Sequence, residues 1–291
     1  VRDPAAGLRD AADFRRALTR WCSARHGGEP GPTTLVVVAH PDDEVIGAGI
    51  RLGHVRSVTI LHITDGSPRD ARDASAAGCA GRAAYARVRR RELRAAVGCA
   101  GMSPASLRTL DVVDGEAALS LPALSTTLSE LLWTLGPEVV VTHPYEGGHP
   151  DHDAAAFAVH HACELLRAAG AAPPVVVEMT SYHAAGGVLR TGAFLPGEDE
   201  GECVPLTAAD AARKRRMLGC FVTQRQTLAP FAVLAERFRV APRYDFTRPP
   251  HHGELYYERF RWGPTPGEWM RLAERARQRL GLAGEAAASR S

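Results

Sequence analysis

The stretch Thr34-Leu-Val-Val-Val-Ala-His-Pro-Asp-Asp-Glu44 decides the fold. Residues 35–39 form a short, continuous run rich in β-branched side chains, the pattern of a strand buried on both faces of a parallel sheet. The run stops at His40-Pro41, because proline lacks a backbone donor and biases the residue before it away from helix. Asp42, Asp43 and Glu44 then open a helical segment whose acidic first turn suits the positive end of the helix dipole. One histidine and two carboxylates therefore sit in the loop leaving the C-terminal end of a central strand. Open α/β sheets place their active sites there.

A second stretch is built the same way. Residues 138–142 read as a strand that delivers His143-Pro-Tyr-Glu-Gly-Gly-His-Pro-Asp-His152, followed by an alanine-rich helix to about residue 167. Pro150 suits a first helical turn, and the three-residue spacing of His149 and His152 puts both on one side of it. His40 and Asp43 carry the same spacing. Two histidines and a carboxylate with an open fourth position form the ligand set of a hydrolytic zinc site. The remaining aspartate and histidine are then free for proton chemistry.

Further strands are expected over 57–64, 107–113 and 175–182, the first two ended by Asp65-Gly66 and Asp114-Gly115. Helices are expected over 8–26, 82–97, 120–135, 208–219 and 267–280. Residues 67–81 show no period and read as a mobile loop, a lid or a substrate loop, beside the first motif. Strand and helix patterns alternate through residue 182, which predicts an α/β, Rossmann-like architecture. Its sheet is mostly parallel with helices on both faces, and the C-terminal third is irregular. A single domain is expected over 1–291, with its core at about 34–224. The helix 8–26 and the segment 225–282 are read as appendages, and the tail 283–291 as frayed.

The net charge of +2 gives no reason to expect a nucleic-acid partner. Of the 35 basic residues all but Lys214 are arginine, so the bias says more about coding than about a basic interface. Six cysteines with no C-x-x-C pair supply neither a zinc ribbon nor a disulfide framework, which points to a reducing compartment. No apolar run approaches the length of a membrane span. The expectation is a soluble, cytoplasmic protein; its oligomeric state is left open.

Ala39-His-Pro-Asp-Asp-Glu44 together with Gly148-His-Pro-Asp-His152 resembles the LmbE/PIG-L family of zinc-dependent de-N-acetylases. The first motif matches the family's A-H-P-D-D-E in full and the second its H-P-x-H. Arg89-x-x-Glu-Leu93, Asp114-Gly115 and Thr223-Gln224 add weaker likeness, so that it covers about 34–224. The resemblance implies that His40, Asp43 and His152 bind Zn2+, or another divalent transition metal. It implies that Asp42 is the general base, and that His149, as a protonated imidazole, stabilises the oxyanion or protonates the leaving amine. Arg89 and Asp114 resemble positions near the substrate sugar. Some family members carry a tyrosine where this chain has Gly147, and Tyr145 is the expected substitute. The implied reaction removes an acetyl group from an N-acetylated amino sugar such as an N-acetylglucosamine conjugate. The alternatives are an amidase of the same chemistry acting on a larger acyl group and a non-catalytic sugar-binding relative.

The other histidines read differently. His62 lies inside a strand and is expected in the core; of the adjacent His160 and His161 at most one faces inward, with the helix surface favoured; His143 and His183, at strand ends, are only candidates for a place beside the site. Trp262, Trp269 and the Tyr256-Tyr257 pair read as core packing rather than a sugar platform.

Overall fold

β1 (Thr34–Val38) is buried along its whole length. Its alternate residues feed two cores, Val36 and Val38 on one face of the sheet, Leu35 and Val37 on the other. Burying each such side chain contributes about 1.5–3 kcal/mol. The computed structural model describes residues 11–24, 31–55, 57–197, 199–231, 233–260 and 262–282. The ends of the expected helix 8–26 and the tail 283–291 lie outside these.

β1 belongs to a seven-stranded sheet of order β3-β2-β1-β4-β5-β9-β8. The other strands are β2 (Val58–Pro68), β3 (Leu107–Asp114), β4 (Val139–Thr142), β5 (Val175–Met179), β8 (Glu202–Pro205) and β9 (Ala235–Val240). β3 through β5 run parallel, and β9 and β8 add an antiparallel edge. A separate hairpin pairs β6 (Tyr182–Ala185) with β7 (Val188–Thr191).

Helices cover both faces, as expected. α1 (Ala11–Ser23), α2 (Asp43–Leu52), α4 (Arg82–Cys99) and α7 (Ala208–Gly219) pack on one core. α5 (Leu121–Leu135), α6 (Pro150–Ala168) and α9 (Pro266–Arg279) pack on the other. Two short helices, α3 (Arg72–Ala76) and α8 (Arg225–Leu228), border the cavity described below. Among the described residues no helix is long and apolar enough to cross a membrane.

Three segments differ from the sequence reading. β2 runs on through Asp65-Gly66 to Pro68, because Thr64 Oγ1 ties the strand to Ala39 O at 2.9 Å and accepts from Gly66 N, and shifts in register against β3 absorb the glycine. The strand expected over 175–182 splits at Met179; Tyr182 starts the hairpin, which turns through Gly186 and Gly187, both at positive φ. The segment 225–282 is no appendage to the sheet: it supplies β9, which lies between β5 and β8, and buries Trp269 of α9 completely.

Candidate metal centre

β1 and β4 are neighbours, and the chain leaves them in opposite directions across the sheet, β1 toward β2 and β3, β4 toward β5. This is the topological switch point, where the loops beyond the strand ends diverge and leave a crevice. The two histidine motifs leave these two strands, so the fold itself brings them together.

In the first loop each acid has a distinct task. Asp43 Oδ2 accepts from the backbone of His40 at 2.7 Å, closing the turn at Pro41. Glu44, fully buried, accepts from the backbone of Asp42 at 3.0 Å and meets His62 Nε2 at 3.0 Å. Asp42 sits at φ 136, a conformation side chains avoid. Such a residue costs about 1–3 kcal/mol and persists only where its surroundings impose it. Here they are Glu44, the Val45 and Ile46 amides that bond the Asp42 carbonyl, and Arg89 Nη2, 3.1 Å from Asp42 Oδ2.

In the second loop His149 is the N-cap of α6: its Nδ1 accepts from Asp151 N at 3.1 Å, with Pro150 next in the first turn. Asp153 Oδ1 accepts from the backbones of Glu146 and Gly147, and Asp151 from those of Gly115 and Ala117. Trp269 Nε1 donates to Pro150 O at 3.0 Å, so α9 braces the start of α6.

His40, Asp43 and His152 converge: each offers a ligand atom, and these atoms lie within 4.8 Å of one another. Asp43 reaches His152 Nε2 with Oδ1 at 3.2 Å and His40 Nδ1 with Oδ2 at 3.3 Å. The far nitrogen of each imidazole has its own partner. His40 Nε2 faces Asp114 at 3.2 Å and Asp151 at 3.3 Å, while His152 Nδ1 meets Ser181 Oγ at 3.3 Å. His143 stacks on His152 with centroids 3.9 Å apart and takes a bond from Ala39 N.

The electrostatics separate the acids. Burial pushes the Asp42 carboxyl up to about 7, against Arg89, which pulls it down. Burial works the same way on Asp43, but His152 and His143 outweigh it and hold that carboxyl well below its usual range. His152 is driven down to about 3 by burial and is neutral, as a ligand must be. Burial and the neighbouring His40 likewise push His149 down to about 3. Burial lowers His40 less than Asp114, Asp151 and Asp43 raise it, so its pKa stands well above the ordinary value. Asp114 falls to about 2, burial being overcome by His40.

His40, Asp42, Asp43, His149 and His152 face a cavity of about 1030 Å³. One rim is charged, with Arg69, Asp70, Arg72 and Asp73 from the loop the sequence assigned to a lid or to the substrate. Tyr182, Leu228, Phe231 and Trp262 line it elsewhere. Arg89 and Asp114 line the cavity, but their side-chain partners are Asp42 and His40.

Tyr145 is the expectation the structure corrects. It is buried against Phe246 and Trp269, donates to Arg248 O at 2.7 Å and does not line the cavity. Nor does position 147 accept the absent tyrosine, since Gly147 has φ +70 and a Cβ there would meet Leu255 at 2.7 Å. The cavity's phenol is Tyr182, edge-on to His152 at 5.2 Å. Nothing local in the sequence marked it. The role of Asp151 was equally hidden, although it stands between two motif histidines. The resemblance implied a protonated His149; here its Nδ1 accepts from Asp151 N, and burial pushes its pKa down to about 3. His62 is buried as expected, but His161 is buried too, stacked on Phe157, and His183 pairs with Glu146 away from the cavity.

Comparison with known proteins bears on this site. Residues 35–163 match the family described as PIG-L: GlcNAc-PI de-N-acetylase. No curated protein matches the chain by sequence. Among solved structures, the A40926 pseudoaglycone deacetylase Dbv21 superposes with a TM-score of 0.52 at 19% identity, over 68% of this chain and 84% of that one. The zinc-inhibited form of teicoplanin deacetylase Orf2 gives 0.52 at 16%, over 71% and 97%. A deacetylase-bog complex from the teicoplanin pathway gives 0.54 at 16%, over 71% and 96%. At these identities the likeness establishes a common fold. The match to the PIG-L (LmbE-like) family spans residues 35–163, the part of the chain that carries both histidine motifs.

Proposed function

We propose that the protein is a zinc-dependent hydrolase that removes an acetyl group from an N-acetylated amino sugar. One observation carries the reading: His40, Asp43 and His152 converge beside Asp42 and His149 on one cavity at the switch point. Two histidine nitrogens and an ionised carboxylate suit zinc, whose binding would displace the proton of His40, and metal-binding histidines usually have their second nitrogen held by a carboxylate or other polar group. Asp114 and Asp151 at His40, and Ser181 at His152, meet that requirement.

A divalent metal bound there supplies polarisation of the amide carbonyl and acidifies a water molecule. Asp42 takes the proton of the attacking water; its carboxyl near 7 is matched to that task at neutral pH. With Nδ1 occupied by the Asp151 amide, the His149 ring proton lies on Nε2. His149 therefore donates a hydrogen bond to the developing oxyanion as a neutral imidazole, an interaction typically worth about 3–4 kcal/mol. Asp42, once protonated, is the proton source for the departing amine. A non-catalytic sugar-binding relative would have no use for a strained, buried carboxylate at position 42.

The apolar lining by Ile46, Leu228 and Phe231 favours a second reading, hydrolysis of a longer acyl amide by the same groups. Carboxylate release from glucosamine conjugates bearing acetyl and longer acyl groups, with zinc or with chelator, tests both. Release of acetate that chelation stops is expected. A zinc-loaded protein that cleaves none of these amides would refute the proposal.

A further inference from the structure

We propose that Trp262 is a positioning residue for His149, an inference that rests on the hydrolase reading above. Phe260, Trp262 and His149 form one run of stacked rings. The phenyl and indole centroids are 4.1 Å apart and 8° from parallel, the indole and imidazole 5.1 Å and 27°. The indole is a wall of the cavity, and its stacking partners are rings of the chain itself.

The imidazole needs this contact. Its Nδ1 accepts one hydrogen bond, from Asp151 N. One bond locates one atom but does not fix the ring plane, because the torsion that turns an imidazole is broad. His40 stands edge-on to the ring at 4.5 Å, on the side of the proposed metal ligands. Trp262 supplies the face contact from outside that group of ligands. Together the hydrogen bond and the stack hold the Nε2–H in one direction, which is what a preorganised oxyanion donor requires.

Trp262 is itself held by a close approach of two turns. A Cβ on Gly115 would lie 2.5 Å from the Trp262 carbonyl oxygen, and one on Gly263 would lie 2.7 Å from the Gly115 carbonyl oxygen. The segment 262–263 is thus pressed onto the turn that follows Asp114, and Asp151 bonds that same turn at Gly115 N. The C-terminal segment, the β3 turn and the start of α6 meet around one imidazole.

The test compares the full-length, zinc-loaded wild type with Trp262→Ala and Trp262→Phe. Trp262→Ala is expected to lower kcat by about 10- to 100-fold with KM within about two-fold, the pattern of a misplaced catalytic group. Zinc content should be unchanged. Trp262→Phe, which keeps an aromatic face, should restore most of kcat. Imidazole 15N NMR supplies a readout without turnover: His149 should show a single Nε2–H form in the wild type and in Trp262→Phe, and an averaged one in Trp262→Ala. Unchanged His149 signals in Trp262→Ala would overturn the inference. So would a raised KM with kcat intact, which would make the indole a substrate wall. If the wild type cleaves no N-acyl amino sugar, the hydrolase reading fails, while the NMR comparison still decides whether Trp262 places the ring.

Discussion

Arg89 Nη2 lies 3.1 Å from Asp42 Oδ2, both side chains buried, and the same nitrogen donates to Pro41 O at 2.8 Å. The arginine that the sequence offered to a sugar is engaged with the proposed base. After burial, it is the largest influence on the Asp42 carboxyl, and it pulls that carboxyl down.

Removing Arg89 should therefore move a pH profile in a known direction. Asp42 acts as a base only when ionised, so kcat/KM should fall as pH drops through its pKa. Without the guanidinium that pKa rises, and the acidic limb in Arg89→Met should shift to higher pH by about one unit or more. The loss should be larger near pH 6 than near pH 8. A pH-independent rise in KM would show instead that Arg89 serves the substrate.

Asp42→Asn should keep zinc and fold while lowering kcat by about 100- to 10,000-fold, the usual worth of a positioned base. Asp42→Gly adds a stability readout. Relief at φ 136 is worth about 1–3 kcal/mol, less about 0.5–1 kcal/mol for the glycine's extra chain entropy. Asp42→Ala loses the same carboxylate beside Arg89 but keeps the strain, so urea denaturation should find the inactive Gly variant more stable than Asp42→Ala. An Ala variant at least as stable as the Gly variant would mean the conformation is unstrained.

His152→Ala should lose zinc, measured by elemental analysis after gel filtration. A tightly held metal stabilises the fold by about 4 kcal/mol at a thousandfold excess over its Kd. Chelation should thus lower the Tm of the wild type and leave that of His152→Ala unchanged. Equal zinc content in the two proteins would contradict the ligand set.

The single lysine is buried. Lys214 Nζ on α7 lies 2.9 Å from Glu236 Oε1 on β9, and Glu236 also accepts from Ile50 and Arg51 of α2. Removing one partner of a buried pair costs about 3–5 kcal/mol, because the other charge is left unpaired. Lys214→Ala should show that loss in urea denaturation. A loss under about 1 kcal/mol would mean the pair is screened by water.

That pair also explains what the sequence concealed. β9 reads Ala-Glu-Arg-Phe-Arg-Val, too charged to pass for an inner strand. It lies inside the sheet because Glu236 meets Lys214 and Arg239 meets Glu178 at 2.8 Å, partners far away in the chain. Tyr145 misled for the converse reason: its neighbours in sequence are site residues, but its neighbours in space are Phe246 and Trp269.

The sequence by itself determined the two apolar strands, the motifs that follow them and the alternation that makes the sheet parallel. These are properties of residues a few positions apart, where periodicity and helix-start chemistry act. Only the tertiary structure decided that Arg89 answers Asp42, that Tyr182 rather than Tyr145 faces the cavity, and that Trp262 lies on His149. Each of those depends on burial and on partners from 30 to more than 100 residues away, set by how the sheet and its C-terminal segment close around the switch point.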